Sequence, residues 1–134
     1  VVFPLHPNPN VRGLFQEMLG TTPRVLLTEP LAYRDLLKLM HRSTLILSDS
    51  GGLQEEAPSM GRPILILRER TERPEVVTVG AGLLVGTDPD LIVKEALSIL
   101  CDPMVYQRMV SGPNPFGDGR AGQHIAKILE SALG

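Results

Sequence analysis

Leu45-Ile46-Leu47-Ser48-Asp49-Ser50-Gly51-Gly52-Leu53-Gln54-Glu55-Glu56 is the stretch on which the fold turns. Three apolar residues in a row read as a buried strand, the polar and glycine-rich turn ends it, and a short helix is expected from Gly52 to Met60, stopped at Gly61. Pro58 inside that segment keeps the helix short, because proline lacks an N–H and clashes with the preceding turn. Strand, glycine turn, helix is one βα unit.

The same alternation recurs on both sides. Upstream, Val1–Leu5 is an apolar run, and Val11, Leu14, Phe15, Met18 and Leu19 fall on one helical face that Gly20 ends. Val25–Leu27 is a second short strand, followed by the helical stripe Tyr33, Leu36, Leu37, Met40. Downstream, Ile64–Leu67 and Leu83–Val85 are the fourth and fifth strands, separated by a Pro- and Gly-punctuated stretch from Thr71 to Gly82. Two more helices carry Ile92, Ala96, Ile99, Leu100 and then Ala121, Ile125, Ile128, Leu129, Ala132. Short continuous apolar strands between helices predict an α/β fold, a doubly wound parallel sheet of about five strands covered by helices on both faces.

Composition narrows the function classes. The 134 residues suit one domain, and a hydrophobic share of 43% supports a real core. Thirteen Lys and Arg against 15 Asp and Glu give a net charge of −2, so no nucleic-acid or membrane-surface partner is indicated. A single cysteine, Cys101, cannot form an internal disulfide and is expected to be a small half-buried residue at a helix end. No apolar run reaches the ~18 residues of a membrane span, and no signal-peptide pattern opens the chain, so a cytoplasmic location is expected. The chain begins without methionine in what reads as mid-strand, which suggests a piece of a longer protein.

In a parallel sheet, ligands bind beyond the carboxyl ends of the strands. There this chain places His6-Pro7-Asn8-Pro9, Thr28-Glu29-Pro30, Asp49-Ser50-Gly51-Gly52 and Arg68 to Arg73. Ser50, Gly51 and Gly52 are the sharpest candidates. A helix start presents unpaired N–H groups and the positive end of the dipole, glycines admit an anion close to the backbone, and the serine hydroxyl adds a donor. The plainer reading of Ser50 is an ordinary N-cap, although a reciprocal capping box would want an acid where Leu53 stands. Glu55 suits a charge–dipole role in the first turns. Glu56 lies one turn beyond Gly52, where its carboxylate can accept from a vicinal diol such as a ribose. Arg73 stands directly before Pro74, which is expected to open a helix and so hold the guanidinium at the rim, in reach of phosphate or sugar oxygens. The other charges of Arg68–Glu72 read as a solvated loop. His6 is a low-ranked candidate general base, a loop-shaping hydrogen-bonder being the plainer reading; His41 and His124 have no assigned role. No metal-ligand spacing, GxGxxG or GxxxxGK[ST] pattern is present, and no cofactor is expected.

The run Asp49-Ser50-Gly51-Gly52-Leu53-Gln54-Glu55-Glu56-Ala57-Pro58 resembles the non-hydrolysing UDP-N-acetylglucosamine 2-epimerases. The likeness continues through Gly61-Arg62-Pro63, Thr71-Glu72-Arg73-Pro74-Glu75, Leu84-Val85-Gly86-Thr87 and Asn114-Pro115-Phe116-Gly117-Asp118-Gly119, and starts at His6-Pro7-Asn8-Pro9. The resemblance implies two Rossmann-like domains of glycosyltransferase-B type, of which residues 1–134 would be the carboxyl-terminal, UDP-binding one, without the first part of that domain and its histidine- and arginine-rich motif. It further implies that Ser50, Gly51 and Gly52 hold the diphosphate, Glu56 the ribose hydroxyls, and Arg73 lies near phosphates and sugar. Leu36 would offer a backbone contact to uracil. Leu31 stands where some members have a glutamine near the base. UDP-GlcNAc and UDP-ManNAc would be interconverted in the service of cell-surface polysaccharide synthesis. The proton-transferring carboxylates would lie in an amino-terminal domain, so the 134-residue piece is expected to be inactive alone and the full-length protein to be a homodimer. A nucleotide-sugar transferase of the same architecture and a non-catalytic UDP-binding module are the alternatives.

Overall fold

The computed structural model describes Val1–Leu133, in two compact units, the first over Val1–Leu39 and the second from Met40 onward.

In the first unit, β1 (Val2–Pro4) and β2 (Leu26–Thr28) pair in parallel, Val2 opposite Leu26 and Pro4 opposite Thr28. Between them runs α1 (Pro9–Leu19), started by Asn8, whose Oδ1 accepts from Asn10 N–H at 3.0 Å, with Pro9 at the position where its missing N–H costs nothing. The Phe15 ring of α1 meets Phe3 of β1 edge to face, with centroids 4.9 Å apart. Arg12 closes the same βα unit through a two-pronged ion pair with Glu29, Nη1 donating at 2.6 Å. Helix α2 (Tyr33–Arg42) begins in this unit and ends in the next.

In the second unit β3 (Ile46–Ser48), β4 (Ile64–Ile66) and β5 (Gly82–Leu84) form a parallel sheet with β4 in the centre, Ile46, Ile64 and Gly82 in register. All three β4 residues are fully buried, which explains why that strand reads as an unbroken apolar run. Each such side chain contributes about 1.5–3 kcal/mol by leaving water. The core joins Leu65, Val85, Ile99 and Met109. Helix α3 (Gly51–Ser59) follows β3, and the one-and-a-half-turn α4 (Pro74–Thr78) follows β4.

Beyond β5 come α5 (Pro89–Cys101), α6 (Pro103–Val110) and α7 (Ala121–Leu133). Asp88 and Asp102 cap α5 and α6, each accepting from two first-turn amides. Every described residue of α7 is exposed, its apolar stripe of Ile125, Ile128 and Leu129 included. No described helix is long and apolar enough to cross a membrane.

The expected α/β architecture and its five strands are present, each strand end within about a residue or two of its expected place. Helix α6 was not expected, and Cys101 is exposed on the last turn of α5 where a half-buried thiol was anticipated. The apolar faces of α5 and α6 meet below Cys101, around Ile99 and Met109, and leave the thiol outside.

Candidate functional site

Parallel pairing sends the segments after β3, β4 and β5 out of one edge of the second unit's sheet. After β3 the chain turns at Ser48, whose hydroxyl accepts from Ser50 N–H at 3.0 Å. Ser50 then takes the extended N-cap conformation of α3 (φ −75°, ψ 127°), yet its side chain makes no capping bond. The first amides of α3 are thus not claimed by the residue placed to claim them.

The two glycines leave that helix start bare. A Cβ on Gly51 would meet nothing within 4 Å, and one on Gly52 would meet only Ser50 Oγ, at 3.9 Å. Neither glycine has a positive φ, so neither packing nor backbone geometry asks for glycine here. What the pair does provide is open approach to amides at the positive end of a helix dipole. Glu56, half-buried, lies one turn after Gly52 on the same helix.

Arg73 comes to α3 from the next strand. It precedes Pro74, the first residue of α4, as the sequence leads one to expect. Its Nε donates to Glu55 Oε1, and Nη1 donates to the carbonyl of Glu72 at 3.1 Å. The hydrogen bond and charge of Glu55, with smaller help from Glu72 and Glu75, hold the guanidinium above its already high ordinary pKa, so it stays charged. Glu55, read from sequence as a dipole partner only, is therefore also the acid that aims Arg73.

A buried contact lies beneath this pair. Gln54 is fully buried, and its Oε1 accepts from the Thr71 hydroxyl. Thr71 Oγ1 in turn accepts from Arg73 N–H at 2.9 Å. Neither Gln54 nor Thr71 stood out from the sequence as a site residue. A glutamine between Leu53 and two acids gives no sign of burial, and only the helical position of residue 54, one turn before the buried Ala57, points inward.

The remaining candidates lie elsewhere. His6 follows β1 in the first unit, exposed, with Nδ1 accepting from Asn8 N–H at 3.1 Å, which is the loop-shaping role. Leu36 is half-buried on α2, its N–H donating to Ala32 O at 3.0 Å. Arg68 faces Glu72 at 3.9 Å as a loose surface pair. An open concavity of about 610 Å³, lined by Asn114, Phe116, Asp118 and His124 among others, includes none of the site candidates. No group of three or more His, Cys, Asp or Glu side chains suited to a metal ion occurs among the described residues.

Comparison with known proteins puts a family to this arrangement. The family described as UDP-N-acetylglucosamine 2-epimerase matches residues 1–130. A UDP-N-acetylglucosamine 2-epimerase of Escherichia coli (strain K12) is 47% identical over 131 residues, 98% of this chain and 35% of that protein. Among solved structures, the UDP-GlcNAc 2-epimerase of Neisseria meningitidis bound to UDP-GlcNAc superposes with a TM-score of 0.88 at 45% identity, covering 97% of this chain and 36% of the other. The Methanocaldococcus jannaschii UDP-GlcNAc 2-epimerase in complex with UDP-GlcNAc and UDP gives 0.76 at 36% identity, with 97% and 35% covered. The chain thus spans about a third of the length of these relatives. Its fold is the α/β Rossmann-like one they share, and the chain belongs to the UDP-N-acetylglucosamine 2-epimerase family.

Proposed function

We propose that residues 1–134 are the carboxyl-terminal, UDP-binding part of a UDP-GlcNAc 2-epimerase. One observation carries the reading: a helix start kept open by Gly51 and Gly52, with Ser50 uncapped and Glu56 a turn along, in a chain of this family. The amides of Gly51 and Gly52 and the Ser50 hydroxyl would donate to the diphosphate, Arg73 would add its charge there, and Glu56 would accept from the ribose hydroxyls. The uracil contact at Leu36 belongs to the first unit and rests on the family resemblance alone.

The reaction is the one that the family resemblance implies. A proton leaves C2 of the sugar, the C1–O bond to UDP breaks, and 2-acetamidoglucal and UDP result. UDP then adds back at C1 while C2 regains a proton on the opposite face, giving UDP-ManNAc. Holding the departing diphosphate lowers the barrier to bond cleavage and keeps UDP in place to return. The proton-transferring groups are assigned to an amino-terminal domain, and a cytoplasmic homodimer is the proposed working form. The test is incubation of the full-length protein with UDP-GlcNAc alone, followed by NMR. Appearance of UDP-ManNAc supports the reading. Release of free ManNAc indicates a hydrolysing enzyme, turnover only with an added acceptor a transferase, and UDP binding without turnover a non-catalytic module; each would replace it.

A further inference from the structure

We propose that Gln54 and Thr71 are positioning residues that set Arg73 for the diphosphate, through a buried side-chain bridge from helix α3 to the turn before α4. The inference rests on the reading of Arg73 as a phosphate contact.

The bridge is costly where it stands. Gln54 is fully buried, and its Nε2 has no hydrogen-bond partner among the described residues. A primary amide taken out of water with half its bonding capacity unmet destabilises a fold, and an apolar side chain of similar volume would not. A local rule broken inside a well-packed helix points to a gain elsewhere. Here the gain is Thr71. Its oxygen accepts the Arg73 N–H, so its single hydrogen is free for Gln54 Oε1. The amide thus fixes the hydroxyl, and the hydroxyl fixes the backbone at Arg73.

Residue 55 completes the clamp. Gln54 and Glu55 are consecutive on α3, about 100° apart around its axis, so one reaches under the turn while the other meets the guanidinium at its surface. The neutral, buried bridge sets where the Arg73 backbone lies; the half-exposed acid sets where its fork points. Both are anchored on the helix whose first amides form the proposed phosphate cradle. Arginine and cradle are thereby held in one frame, as preorganised ligand contacts require.

The experiment uses the full-length protein, with UDP as ligand in calorimetry and UDP-GlcNAc in kinetics. Thr71→Val removes the hydroxyl and keeps the shape; Thr71→Ser keeps the hydroxyl. Loss of one neutral hydrogen bond's worth of positioning should weaken UDP by up to about tenfold. KM should rise more than kcat falls, because the contact is made to bound substrate as well as to the transition state. Thr71→Ser should restore binding to within about twofold, and in an Arg73→Ala background Thr71→Val should cost nothing more, as expected when one residue acts through the other. Gln54→Leu should weaken UDP likewise while leaving thermal stability equal or higher, a split that a merely structural amide would not give. Undiminished UDP binding by Thr71→Val, or a loss that persists in the Arg73→Ala background, overturns the inference and leaves the proposed function standing. An unsubstituted protein that takes up no UDP overturns both.

Discussion

Arg62 Nη2 donates to the carbonyl of His41 at 2.7 Å, so an arginine just before β4 closes the carboxyl end of α2. The same guanidinium donates through Nη1 to the Tyr106 hydroxyl of α6 at 3.1 Å. Carbonyls in the last turn of a helix lack intrahelical partners and carry the negative end of the dipole, which a cation satisfies on both counts. Three elements far apart in sequence are thereby held by one side chain.

Arg62→Ala is expected to destabilise the protein by about 1.5–3 kcal/mol, the usual worth of hydrogen bonds from a charged donor. Tyr106→Phe should cost about 1 kcal/mol, and nothing further once Arg62 is gone. Arg62→Lys should rescue only part, since an ammonium has no fork to span two acceptors. Urea unfolding of the four variants measures this; additive losses in the double variant would show that the two residues act independently.

Glycine is required at some positions and only permitted at others, and the two kinds separate fold from function. A Cβ at Gly82 would lie 3.0 Å from Ile64 Cγ2 and 3.2 Å from Val76 Cγ2, in the packed interior. Gly82→Ala should therefore cost about 1–3 kcal/mol by overpacking. Gly51→Ala meets no obstacle and replaces a poor helix former, so stability should hold or rise by up to about 1 kcal/mol. Under the proposed function its methyl group blocks the anion instead, and UDP affinity should fall at least about tenfold, or about 1.4 kcal/mol. A Gly51→Ala protein that binds UDP normally removes the cradle from consideration.

Glu56→Ala separates the ribose from the phosphates. A carboxylate bonded to a diol is worth about 1.5–3 kcal/mol, so UDP should weaken by roughly 10- to 100-fold. The same substitution should change the affinity for 2′-deoxy-UDP less, because that ligand has already lost one of the two hydroxyls. Equal losses for both ligands would place Glu56 away from the pentose.

The β3–α3 junction was legible in the sequence because its signals are local: three apolar residues, then glycines, then a helix that Pro58 keeps short. Position 73 was legible for the same reason, since Pro74 must open whatever follows it. Helix α6 is hard to read in the sequence although its signals are present, an Asp102 cap followed by Pro103 at the first helical position; eight residues leave too little apolar periodicity to stand out. The bridge from Gln54 to Thr71 and the reach of Arg62 to His41 were not legible, because each joins residues about 17–21 positions apart, a separation that only the packing of helices on a sheet brings together.

The pairing of Arg12 with Glu29 ties acid sensitivity to the first unit. The hydrogen bond from Arg12 outweighs the cost of desolvation and, with a lesser contribution from the arginine's charge, holds the Glu29 carboxyl below its ordinary value of 4.5. A carboxyl whose pKa is lower folded than unfolded contributes stability that is complete above the unfolded value and fades as pH falls through the folded one. Arg12, held above its already high ordinary value by the same pair, would lose its share only in strong alkali. The difference in melting temperature between the unsubstituted protein and Glu29→Gln should therefore be constant near neutrality and shrink progressively below about pH 4.5. Glu29 is largely exposed and Arg12 partly so, so molar salt should shrink it at every pH. A difference that does not shrink at all as pH is lowered from 4.5 in low salt would mean that Glu29 acts through packing and not through its charge.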